Sequence, residues 1–69
     1  MPDFDAKAYV EAMEQLGYIV RAFGERWYWG GRAGVSPSPR LLELQKAVNT
    51  SEENRKRVLS FLLKSGRTH

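Results

Sequence analysis

The sequence predicts a small α+β domain in the order α-β-β-α-α, with an antiparallel hairpin packed against helices. Three observations carry that expectation. Residues 18–29 place strand-forming side chains on both sides of a Gly24-Glu25 pair, residues 6–16 repeat apolar side chains at helical spacing, and residues 39–64 do so in two segments with a capping signal between them. At 69 residues the chain has room for one domain, 1–69, and it buries a smaller fraction of its surface than a domain of ordinary size.

The first helix is predicted over 6–16, with Asp5 as N-cap and Gly17 ending it in the left-handed conformation. Phe4 and Tyr9 occupy the two positions of a hydrophobic staple. At 100° per residue Ala6, Tyr9, Val10, Met13 and Leu16 share one side, while Lys7, Glu11, Glu14 and Gln15 lie on the opposite, solvated one.

The hairpin is predicted over 18–29, and it holds five of the chain's eight aromatic residues. Gly24-Glu25 suits a two-residue loop whose first position needs positive φ, as in a type II′ turn. Pairing outward from that turn sets Phe23 opposite Arg26, Ala22 opposite Trp27, Arg21 opposite Tyr28 and Val20 opposite Trp29. One face then carries Tyr18, Val20, Ala22, Trp27 and Trp29, and is expected to turn inward. The other mixes Ile19, Phe23 and Tyr28 with Arg21 and Arg26, a surface on which guanidinium groups and rings suit bases, phosphates or an acidic protein patch.

Residues 30–38 form a loop in which glycines give way to prolines. It contains neither a Gly-Lys-Ser/Thr nor a Gly-x-Gly-x-x-Gly pattern, so nucleotide cradling is not expected, although Arg32 could reach a phosphate. A short third strand is expected near Ala33 to Val35, or a second copy of the chain, to complete a two-stranded sheet with open edges. Ser36-Pro37 and Ser38-Pro39 match proline-directed phosphorylation sites, yet Ser38 as N-cap with Pro39 at the first helical position accounts for the second pair.

The second helix is predicted over 39–48, burying Leu41, Leu44 and Val48, and broken by Asn49. Thr50 with Glu53 reads as a capping box, which starts the third helix at 51 and carries it to 64. Its wide apolar arc of Val58, Leu59, Phe61, Leu62 and Leu63 makes it the expected most buried helix. Arg55 points toward that arc and is expected to snorkel or to pair with an acid such as Glu43. Glu53, Arg57, Ser60 and Lys64 align on the other side, with Lys56 and Arg67 nearby. Residues 66–69 are expected to fray.

Catalysis is hard to assemble from this inventory. The chain has no cysteine and its one histidine is His69 at the very end, so a disulfide and a Cys/His zinc site are excluded, a cysteine nucleophile is absent, and a serine or threonine nucleophile would lack a histidine base on an ordered element. No carboxylate pair is evidently brought into a cleft, and no motif calls for a metal or a cofactor, so a non-enzymatic protein without cofactor is expected. An acidic amino end and the lack of a membrane-length apolar run predict a cytoplasmic protein. The net charge is +3, and the bases concentrate in the later part of the chain, which favours anionic partners.

Two functional expectations follow. The preferred one is binding of DNA or RNA through Arg21, Arg26 and Tyr28 on the hairpin, Arg32 in the loop, and Lys56, Arg57, Lys64 and Arg67 toward the carboxyl end. The alternative is a small interaction protein that docks through the same hairpin on a larger protein or nucleoprotein complex, as phage and mobile-element inhibitors of the anti-CRISPR kind do. A homodimer through a hairpin edge is compatible with either.

Overall fold

The computed structural model describes residues 4–31 and 34–69. Its elements are α1 (Ala6–Gln15), β1 (Ile19–Phe23), β2 (Arg26–Gly30), α2 (Pro39–Thr50) and α3 (Glu52–Lys64), which is the α-β-β-α-α order predicted. α1 and α3 pack on one face of the antiparallel hairpin and α2 packs on those two helices, giving a body of 30 × 29 × 17 Å.

Local chemistry builds the first half as the sequence suggests. The Asp5 carboxylate accepts the Ala8 N–H at 3.1 Å, and the Phe4 and Tyr9 rings meet at 6.1 Å as the staple requires. The helix ends in a Schellman arrangement, with Gly17 N–H donating to Glu14 O and Tyr18 N–H to Met13 O. Gly24 adopts φ +64° while Glu25 stays at negative φ, the combination a type II′ turn needs, and the register is Phe23↔Arg26, Ala22↔Trp27, Arg21↔Tyr28, Val20↔Trp29 and Ile19↔Gly30.

The core consists of Tyr9, Val10 and Met13 from α1, Val20 and Ala22 from β1, Leu41 and Val48 from α2, and Val58 and Leu62 from α3. Contacts between the helix layer and the sheet run through α1 and α3 onto β1, so β2 lies at the margin of the covered area. That position explains the first correction. Trp27 reaches inward, its ring 6.1 Å from Tyr9 and its indole N–H donating to Arg55 O, but Trp29 remains 51% exposed and packs only edge-on against Tyr18.

The second half departs from expectation in four places. First, α2 continues past Asn49 to Thr50, and the cap of α3 is Ser51, whose hydroxyl accepts the Asn54 N–H at 3.2 Å; the Thr50 hydroxyl instead bonds back to Lys46 O. The expected Thr50–Glu53 capping box is therefore not the start of α3. Second, Arg55 neither snorkels nor meets Glu43, because its guanidinium donates to the Val48 and Asn49 carbonyls and closes the end of α2. Third, α3 is not the most buried helix: only Val58 and Leu62 are enclosed, and Leu63 is 50% exposed, since the α3 arc is wider than the neighbouring surfaces.

Fourth, the last residues do not fray. Gly66 adopts φ +74° and closes α3, sending Arg67 N–H to Leu62 O and turning the chain back along β1. Ala22 N–H then donates to Arg67 O and His69 N–H to Ala22 O, a parallel bridge between Ala22 and Thr68. The tail thus lies along the β1 edge through one bridge, and the sheet itself stays two-stranded. At the position expected for a third strand, Arg32 and Ala33 lie outside the described residues, and Val35 is an exposed bend rather than a strand residue.

Candidate functional site

The sheet face opposite the helices is uncovered among the described residues. Ile19, Phe23 and Tyr28 are 59%, 57% and 53% exposed there. Register sets Arg21 directly across from Tyr28 and Arg26 directly across from Phe23, so rings occupy one diagonal of the ribbon and guanidinium groups the other. His69 packs edge-on against Phe23 at 5.3 Å, extending the aromatic surface over the tail.

The cations predicted to form a binding surface meet different fates. Arg67 donates from Nε and Nη2 to the two carboxylate oxygens of Glu14, each at 2.9 Å, while its guanidinium lies 5.2 Å above the Phe61 ring. Arg21 Nη1 sits 3.7 Å from Glu14 Oε2 and donates to Val20 O at 2.8 Å. Glu14 is therefore not on a solvated face: it joins the end of α1 to β1 and to the tail. The Arg67 hydrogen bonds hold its carboxyl below the usual carboxylate range against the opposing effect of burial, and Glu14 in turn raises Arg67. Arg57 pairs with Glu53 at 3.5 Å one turn earlier on α3.

Arg26, Tyr28 and Lys56 come together around an open groove of about 480 Å³ between the β2 edge and the α2–α3 junction. Trp27, Trp29 and Leu59 also line it, with Glu25 and Glu52 near the cations. Arg57 lines a separate groove on the other side of α3, with Phe4 and Arg40. Lys64 is exposed in the last turn of α3, where a positive charge suits the helix dipole. Arg32 lies outside the described residues. The expected surface thus divides: Arg21, Arg26 and Tyr28 share the open face, Lys56 adjoins it, and Arg57, Lys64 and Arg67 do not.

α2 and α3 are joined by a very short turn, as in a helix-turn-helix pair, but their side chains do not suit one. The first turn of α3 presents Glu52 and Glu53, and the rest of the helix commits Val58 and Leu62 to the core. Trp29 is the surface residue that alternation alone misplaced; its position opposite Val20, at the uncovered margin of the ribbon, is the reason. Among the described residues no group of three or more side chains is gathered to hold a metal ion, and no helix is long and apolar enough to cross a membrane.

Comparison adds no relative. No protein-family model matches the chain, and neither a curated protein nor a solved structure matches it.

Proposed function

We propose that this protein is a non-enzymatic nucleic-acid-binding module that takes single-stranded DNA or RNA on the open face of its hairpin. The observation that supports it is the alternation of exposed Phe23 and Tyr28 with Arg26 and Arg21 on a face no helix covers. Every base offers a flat π-surface to such rings, and base–aromatic stacking contributes roughly 1 to 3 kcal/mol per base. The guanidinium groups beside them meet the phosphates between bases. A ribbon this narrow, without a protruding helix, favours an unstacked strand over a duplex.

The test is fluorescence anisotropy of labelled single-stranded and duplex oligonucleotides at low salt. Single strands are expected to bind more tightly, and Phe23→Ala or Tyr28→Ala should each weaken them by roughly tenfold. Absence of binding to either form at low salt would remove the reading.

A second reading rests on a different observation. Glu14 engages both Arg21 and Arg67, which leaves Ile19, Phe23, Tyr28 and Trp29, with Arg26, as the dominant exposed groups of the hairpin. A surface of that composition also suits a docking protein, since aromatic and arginine side chains dominate binding hot spots. Under this reading, capture of a partner from nuclease-treated extract survives, is lost in the Phe23→Ala, Tyr28→Ala double variant, and no oligonucleotide binds.

A further inference from the structure

β1 is paired on both sides, with β2 and with the tail, whereas among the described residues β2 is paired only with β1. The hydrogen bonds from Ala22 to the tail show which peptide groups of the ribbon point outward, and on β2 the matching positions are Trp27 and Trp29. Among the described residues none of their four backbone N–H and C=O groups has a hydrogen-bond partner. Strand edges of this kind are ordinarily blunted by proline, by inward-pointing charge or by a covering loop. Arg-Trp-Tyr-Trp-Gly has no proline, and its single charge, Arg26, points to the outer face.

We infer that this edge is an interface with a second copy of the chain, β2 pairing antiparallel with β2 about a two-fold axis at Tyr28. This inference concerns the edge and not the open face, so it does not depend on what that face binds.

Any antiparallel strand would satisfy these backbone groups, so it is the side-chain pairing of the strand with itself that points to a second copy. With Tyr28 on the axis, Trp27 of each copy lies opposite Trp29 of the other, and every outward N–H of both chains finds an outward C=O, with no group left over. The cross-strand side-chain pairs are then Trp with Trp, Tyr with Tyr, and Arg26 with Gly30. No like charges face each other directly, and the bulkiest cation meets the one residue of the strand without a side chain. The groove beside the edge is open on this side and mixes Trp27, Trp29 and Leu59 with Glu52 and Lys56, so the half-exposed Trp29 of the second copy has rings and a leucine to pack against. Pairing of this kind joins the two open faces into one sheet of four hairpin strands, flanked at each outer edge by a tail.

Gly30 supplies the test. A Cβ there meets nothing within 4 Å, and its φ lies outside the left-handed region, so the folded monomer accepts a side chain. In the proposed register that side chain faces Arg26 of the second copy. Sedimentation equilibrium from low micromolar to millimolar concentration should give a reversible dimer. Gly30→Glu should tighten it and Gly30→Arg weaken it, each by about threefold or more, because every cross-strand charge pair occurs twice in the dimer. Combining Gly30→Arg with Arg26→Glu recreates an attractive cross-strand pair and should reverse the loss of Gly30→Arg, tightening the dimer beyond the parent constant as Gly30→Glu does, with circular dichroism confirming that each variant folds. A chain that stays monomeric at all concentrations overturns the inference, as does a dimer whose constant moves in the same direction for both Gly30 variants. A monomer that instead captures a synthetic β-strand peptide at this edge would assign the edge to a foreign strand, and overturns it equally.

Discussion

Glu14 stands where three segments of the chain meet. Its two oxygens accept from Arg67 at 2.9 Å, and Arg21 approaches at 3.7 Å, so a single carboxylate ties α1 to β1 and to the tail. A partly exposed, two-pronged contact of this kind contributes about 1 kcal/mol. Because its folded-state pKa is depressed, mainly by the Arg67 hydrogen bonds, the contribution is present in full above the ordinary carboxylate pKa and is lost as pH falls through the lower, folded-state value. Glu14→Gln should therefore lower stability by about 1 kcal/mol at neutral pH in urea titrations, and the gap between variant and parent should close as the pH is taken below about 4. A gap that persists unchanged to acid pH would mean that the amide perturbs packing rather than charge pairing.

At the level of elements, the two helix junctions are held by opposite devices. The α1–β1 junction is local: the glycine closes the helix within its own turn, and the sequence displays it. The α2–α3 junction has no glycine, and the last carbonyls of α2 are taken by side chains of the following helix, Asn54 to Ala47 O at 3.1 Å and Arg55 to Val48 O at 3.0 Å and Asn49 O at 3.2 Å. A cation placed there also meets the negative end of the α2 dipole. Arg55→Ala should cost about 1 to 2 kcal/mol, lower the thermal midpoint by roughly 4 to 8 °C per kcal/mol, and speed hydrogen exchange in the last turn of α2 before other helices. Truncation after Gly66 removes both the tail bridge and the partner of Glu14, so its cost should exceed that of Glu14→Gln in the same urea titrations. This contrast also marks how far the sequence could be read. Turn, staple and N-caps depend on residues within five positions of one another, the register follows by counting outward from the turn, and those of the first half were legible. The Arg55 cap, the Arg67–Glu14 pair and the tail bridge join residues 6 to 53 positions apart, and no periodicity encodes them. Trp29 was placed inward by alternation, which assigns a face to a side chain but not the width of the layer beneath it.

For the molecule as a whole, net charge and available charge are different quantities. The formal value is +3, with eleven Lys and Arg, but Arg21 and Arg67 share Glu14, Arg57 is paired with Glu53, and Arg55 is spent on helix carbonyls. Near the open face that leaves Arg26 and the adjoining Lys56 as the cations best able to reach phosphates, with Arg21 available only if it leaves Glu14. Each phosphate neutralised on a single strand contributes a slope of about −0.7 to the dependence of log affinity on log salt. Two contacts imply a slope near −1.4, and recruitment of Arg21 brings it to about −2. A shallow slope, with affinity instead concentrated in Phe23 and Tyr28, is therefore the expected result of titrating a labelled single strand across a range of salt concentrations. Glu14→Gln should steepen it toward that value of about −2 by freeing Arg21. A slope of −5 or beyond in the parent protein would mean that the strand runs over cations away from the hairpin, and the open sheet face would then not be the principal site.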